Sequence, residues 1–69
     1  YKRQDKQLSN REKEILRLIR QGFLSKEIAY QLGVSIYTVN NHRKNILSKL
    51  DANNIMEAIH IVENLGIYL

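Results

Sequence analysis

The sequence predicts a small all-α domain of four short helices, the middle two joined by a tight glycine turn. Apolar residues recur at helical spacing in four separate stretches. A residue able to cap a helix stands at the head of each: Ser9, Ser25, Ser35, and Asn53 or Asn54. Gly22, Gly33 and Gly66 follow three of the stretches, where a chain leaving a helix often needs a left-handed residue.

At 69 residues the chain makes one domain. A domain of this size buries only about 60% of its unfolded surface, so modest stability is expected. The absence of cysteine rules out a disulfide or a thiolate zinc site and suits a reducing, cytoplasmic setting. No apolar run approaches the roughly 20 residues of a membrane helix, and no signal-peptide pattern is present. A first residue of Tyr1 rather than methionine reads as a piece of something longer.

Residues 1–7, YKRQDKQ, are polar and cation-rich without apolar periodicity, and read as a linker or disordered arm ahead of a domain over 8–69. Ser9 and Glu12 form a capping box, each side chain satisfying the other residue's backbone N–H. Leu8 before it can pack on the stem of Lys13 or on the next turn. The first helix, about Asn10 to Gln21, turns Ile15, Leu16, Leu18 and Ile19 inward, and Glu14 can pair with Arg17 on its outer side. Phe23 and Leu24 bridge to the next helix, one of them plugging the core.

The second helix, 25–32, is expected to be capped by Ser25 and stopped by Gly33, which takes positive φ without a Cβ clash. Val34 packs inward and Ser35 caps a third helix over 36–50, with Ile36, Val39, Ile46, Leu47 and Leu50 as its apolar positions. Small Ala29 and Val39 fall where two steeply crossing helices touch. This is a helix-turn-helix layout, whose second helix lies in the major groove of DNA. A fourth helix over 54–65 has Ile55, Ala58, Ile59, Val62 and Leu65 as its inner stripe, and Ile67, Tyr68 and Leu69 finish the chain.

A cap–helix–glycine–cap–helix string also occurs in ordinary helical hairpins, so the polar side of the third helix decides. At about 100° per residue, Tyr37, Asn41, Lys44, Asn45 and Ser48 gather opposite Val39, Ile46 and Leu50. From Ser35 to Leu50 there are three cations and no carboxylate, whereas a merely solvated face usually mixes Glu with Lys. The net charge of +4 is unevenly spread: residues 51–69 hold Asp51, Glu57 and Glu63 and no Lys or Arg. The middle of the chain suits phosphate and the last part does not.

The string LSNREKEIL…G…KEIAYQLGVS…TV…H…NI…KL closely resembles the LuxR/FixJ-type helix-turn-helix family, from Leu8 to about Gly66. The resemblance implies the C-terminal DNA-binding domain of a bacterial transcription regulator, tethered to an N-terminal receiver or ligand-sensing domain absent from this sequence. It also implies that the fourth helix serves dimerisation. Leu24-Ser25 stands where the family usually has Ser-Asn, and Asn40 where it commonly has Lys. Near the fourth helix, Asn54-Ile55 replaces a frequent Asn-Arg, removing a charge and adding apolar surface.

Asn40, Asn41 and Lys44, on the first turns of the third helix, are the candidate base readers. An amide can bond adenine bidentately, and a lysine can reach guanine O6 and N7. The alternative for each is a contact with phosphate or water. Candidate phosphate contacts are Ser25 and Lys26 opening the second helix, Tyr37 and Thr38 beside the cap of the third, and Arg43 and Lys49. Arg43 lies amid the inward stripe, so its stem can pack while its head pairs with Glu27 or reaches a phosphate.

On the fourth helix, Ile55, Met56 and His60 are the candidate dimer contacts, since the acidic end is ill-suited to phosphate. Two histidines without cysteine or a nearby acid make no metal set, and His42 reads as a packed, hydrogen-bonded residue. No nucleophile–base arrangement or glycine-rich phosphate loop points to an enzyme, and no cofactor is implied. Sequence-specific binding of double-stranded DNA as a homodimer is the resulting expectation. The rivals are a sigma-factor-like promoter-binding region and a helical adaptor that binds protein only.

Overall fold

A computed structural model describes residues 8–67. The proposed arm over 1–7, and Tyr68 and Leu69, lie outside the described residues. Four helices follow in order: α1 (Asn10–Arg20), α2 (Ser25–Leu32), α3 (Ile36–Leu50) and α4 (Ile55–Asn64).

Each helix begins on a local hydrogen bond. Ser9 Oγ accepts from Glu12 N–H at 3.1 Å while Ser9 N–H donates to Glu12 Oε1 at 2.9 Å, a complete capping box. Ser35 Oγ accepts from Thr38 N–H at 3.0 Å, and Asn54 Oδ1 from Glu57 N–H at 2.8 Å. The second helix departs from expectation. Leu24, not Ser25, holds the cap position, and Ser25 is the first helical residue. Leucine has no oxygen to offer, so only the reverse half of the box forms, with Leu24 N–H donating to Glu27 Oε1 at 2.8 Å.

All four helices end the same way. The N–H of Phe23, Val34, Ala52 and Ile67 donates back to the carbonyl of Leu18, Ala29, Leu47 and Val62 respectively, at 2.9–3.1 Å. Both residues of each pair are apolar, which is the Schellman closure with its hydrophobic clasp. The residue before each clasp must be left-handed. Glycine fills that place three times, Gly33 at φ 69° among them, and Asp51 fills it at φ 54°.

The closures fold each chain exit back onto one core. Ile15, Leu16, Ile28, Val39, Ile46, Ala58 and Val62 are fully buried, with Leu8, Leu18, Ala29 and Ile59 around them. Ala29 and Val39 lie buried at the α2–α3 crossing. Phe23 is the bridge residue that packs on the core, and Leu24 stays exposed. Two residues expected inside are outside. Ile36 opens α3, where no preceding turn covers it, and Leu65 lies past α4, where the left-handed Gly66 sends Ile67 to the core instead.

Ion pairs lash the frame. Arg20 Nη1 lies 3.6 Å from Glu63 Oε2, tying α1 to α4. Glu14 pairs with Arg11 at 3.8 Å rather than with Arg17, an exposed contact that contributes little. The shortest and most buried of these pairs links α1 to α3: Lys49 Nζ donates to Glu12 Oε1 at 2.8 Å.

Candidate nucleic-acid interface

The outer face of α3 is built by the inner one. Val39 and Ile46 anchor the helix in the core, so residues on the opposite side face solvent. Tyr37, Asn40, Asn41, Lys44, Asn45 and Ser48 are all exposed. Two amides and a lysine expected to read bases therefore share one open surface. The helix has no acid along its length and none in its first turn, so its positive N-terminal end is uncompensated.

Around that surface the expected phosphate contacts divide. Lys26 is exposed on the first turn of α2 and Tyr37 on that of α3. Ser25 is half-buried, within the first turn of α2 rather than at its cap. Thr38 is half-buried and its Oγ1 accepts from Ser35 Oγ–H at 3.1 Å, so its hydroxyl serves the cap. Arg43 is half-buried, as its place amid the apolar stripe requires. Among the described residues no ion pair joins it to Glu27, whose carboxylate holds the start of α2.

Lys49 has an internal partner that its sequence position did not reveal. Glu12 is only 3% exposed and accepts from both Ser9 N–H and Lys49 Nζ. Burial would raise its pKa, but the hydrogen bonds from Lys49 and Ser9, with the lysine's charge, outweigh that and hold the carboxyl below its ordinary value. A lysine expected to hold phosphate thus fixes α3 to the start of α1. His42 also differs from expectation: its Nδ1 is buried without a hydrogen-bond partner.

On α4 the surface is of another kind. Met56 and His60 are exposed, while Ile55 packs partly against the domain's own core. Among the described residues no three His, Cys, Asp or Glu side chains gather to hold a metal. No described helix is long and apolar enough to cross a membrane.

A helix-turn-helix pair is an arrangement that can dock its second helix against DNA. The family model for bacterial regulatory proteins of the luxR family matches residues 6–62. The chain belongs to the LuxR family. It is a DNA-binding domain of transcription regulators, and the family is not one of enzymes. Among its relatives, an uncharacterized response regulatory protein of Escherichia coli K12, YgeK, is 48% identical over 91% of this chain and 43% of its own length. The response regulator protein TmoT of Ectopseudomonas mendocina is 38% identical over 84% of this chain and 26% of its own. The transcriptional regulatory protein DesR of Bacillus subtilis is 46% identical over 75% of the chain and 26% of its own. The chain thus spans less than half the length of these LuxR-family relatives.

Several features of this LuxR-family domain escaped sequence reasoning. The Glu12–Lys49 pair joins residues 37 apart, and no local pattern announces it. The outward turns of Ile36 and Leu65 follow from where their helices begin and end. Asp51 did carry a signal: like Gly33 before Val34, it stands between a helix and an apolar clasp residue, Ala52.

Proposed function

We propose that this domain reads double-stranded DNA through α3 laid in the major groove, as the C-terminal part of a cytoplasmic response regulator with an N-terminal receiver domain. Asn40, Asn41 and Lys44 contact base edges. Lys26, with Tyr37, Ser25, Thr38 and the head of Arg43, holds the flanking phosphates, and Lys49 serves chiefly to fix α3 in place. The observation that carries this reading is the exposed, acid-free outer face of α3, opposite a buried anchor of Val39 and Ile46. Three acids at the other end of the chain direct phosphate away from α4.

Two copies pair on DNA through α4, with Met56 and His60 at the contact and Ile55 at its edge. One short helix face falls well below the roughly 800 Å² per partner of a standard interface, so pairing is weak until DNA brings two copies together. An inverted-repeat site follows from the two-fold symmetry of such a pair.

Selection of bound sequences from a random duplex pool tests the proposal. An enriched inverted repeat, bound with an affinity that falls steeply with salt, is expected. A domain that enriches no sequence, or whose binding is indifferent to salt, is not a reader of DNA through α3.

A further inference from the structure

The packing leaves an aliphatic side chain at the place where a groove-reading helix meets its bases. Ile36 is 48% exposed on the first turn of α3, beside Tyr37 at 72%. Among the described residues nothing buries it further, although Leu47 and Val39 on the same helix find partners in the core. Asn40 is exposed one turn along on the same side of the helix. Isoleucine is branched at Cβ, so its methyl groups sit close to the backbone and its χ1 choice is narrower than that of an unbranched side chain.

Helix-turn-helix readers contact base edges with the N-terminal residues of the second helix. The edges exposed in the major groove are hydrogen-bonding groups, with one apolar exception, the 5-methyl of thymine. An exposed aliphatic side chain among amides matches that exception and none of the polar groups. Cytosine and deoxyuridine lack the methyl, so the contact carries sequence information.

We propose that Ile36 is a specificity-determining residue that packs on a thymine 5-methyl next to the base read by Asn40. The assignment rests on α3 being the groove helix. A protein surface covering Ile36 is the competing occupant, and the test separates the two.

On the duplex obtained by selection, each thymine is replaced in turn by deoxyuridine, which removes only the methyl. Binding is measured for the parent domain and for Ile36→Ala, a substitution that keeps the helix because alanine is the best helix former. One thymine in each half-site should show a methyl dependence of about three- to fivefold with the parent, the effect of burying one such group. That dependence should vanish in Ile36→Ala and persist in Ile36→Val, which keeps the branched methyl groups and carries the test should alanine lower the melting temperature. If no thymine shows the dependence, or if Ile36→Ala retains it in full, Ile36 does not read a methyl. An enriched duplex that needs Asn41 and Lys44 but shows no coupling to Ile36 overturns this assignment alone. Failure to enrich any duplex overturns the groove reading beneath it.

Discussion

α3 and α4 are closed by the same devices and present opposite surfaces. Each begins on a side-chain cap, Ser35 or Asn54, and each ends in a backbone clasp onto an apolar residue, Ala52 or Ile67. Each buries a narrow stripe, Val39 and Ile46 in one, Ala58, Ile59 and Val62 in the other. Their exposed sides share almost nothing. The outer face of α3 is amides, hydroxyls and a lysine without an acid, whereas that of α4 has Glu57, Glu63, Met56 and no cation. Folding requirements set the caps, clasps and stripes, and leave the exposed positions free to differ. The division of labour we propose, a DNA-facing α3 and a partner-facing α4, rests on those free positions.

The sharpest way to break this contrast is a pair of substitutions that should act on different measurements. Lys44→Ala or Asn41→Ala should cost about 1–3 kcal/mol on the selected site and much less on random duplex, read by titration at fixed salt. Met56→Glu should leave affinity for a single half-site nearly unchanged and abolish cooperative filling of paired half-sites. Equal losses on all duplexes would reduce the α3 residues to phosphate contacts. Undiminished cooperativity in Met56→Glu would remove this face of α4 from the dimer contact.

The attachment of α3 to the rest of the domain gives a second, slightly smaller effect. Glu12→Gln removes the charge that accepts from Lys49 and Ser9, and should lower stability by about 1–2 kcal/mol at neutral pH. The sign of its pH dependence follows from its lowered pKa. In acid the unfolded chain takes up this proton first, so the stabilisation is present above the ordinary carboxyl value of 4.5 and is lost as pH falls through the folded value. Thermal melts of the parent should therefore drop more steeply below pH 4.5 than those of Glu12→Gln.

The closures of the two middle helices offer a milder comparison. Gly33 and Asp51 occupy equivalent left-handed places, at φ 69° and 54°, but only aspartate has a Cβ to strain there. Asp51→Gly should raise stability by up to about 1 kcal/mol, and Gly33→Val should lower it by about 1–2 kcal/mol. An unchanged melting temperature in both would mean that neither exit depends on that conformation. The smallest effect is expected at the edge of the candidate DNA surface. Lys26→Ala should reduce the slope of log affinity against log salt by about one unit on every duplex alike.

How far these features were legible in the sequence depends on how local their causes are. The caps at Ser9 and Ser35, the narrowing of the last cap to Asn53 or Asn54, the turn at Gly33 and most of the inner stripes are decided within a few residues, and could be read from them. Leu24 displaced Ser25 as a cap because Glu27, three residues on, could hold the backbone from the other side. Ile36 and Leu65 fit the helical period of the core, but a period says nothing of where a helix has neighbours to pack on. Lys49 looked like a phosphate anchor because Glu12, its partner, belongs to another helix 37 residues away. The candidate DNA surface was readable as a face, and its long-range tie to α1 was not.

The most direct test follows backbone amide resonances of the domain as the selected half-site duplex is added. The shifts should concentrate in Ile36–Lys44 and at Lys26, leaving Met56 and His60 in place. Shifts centred on α4, or spread evenly over the four helices, would contradict the assignment of α3 as the reading surface.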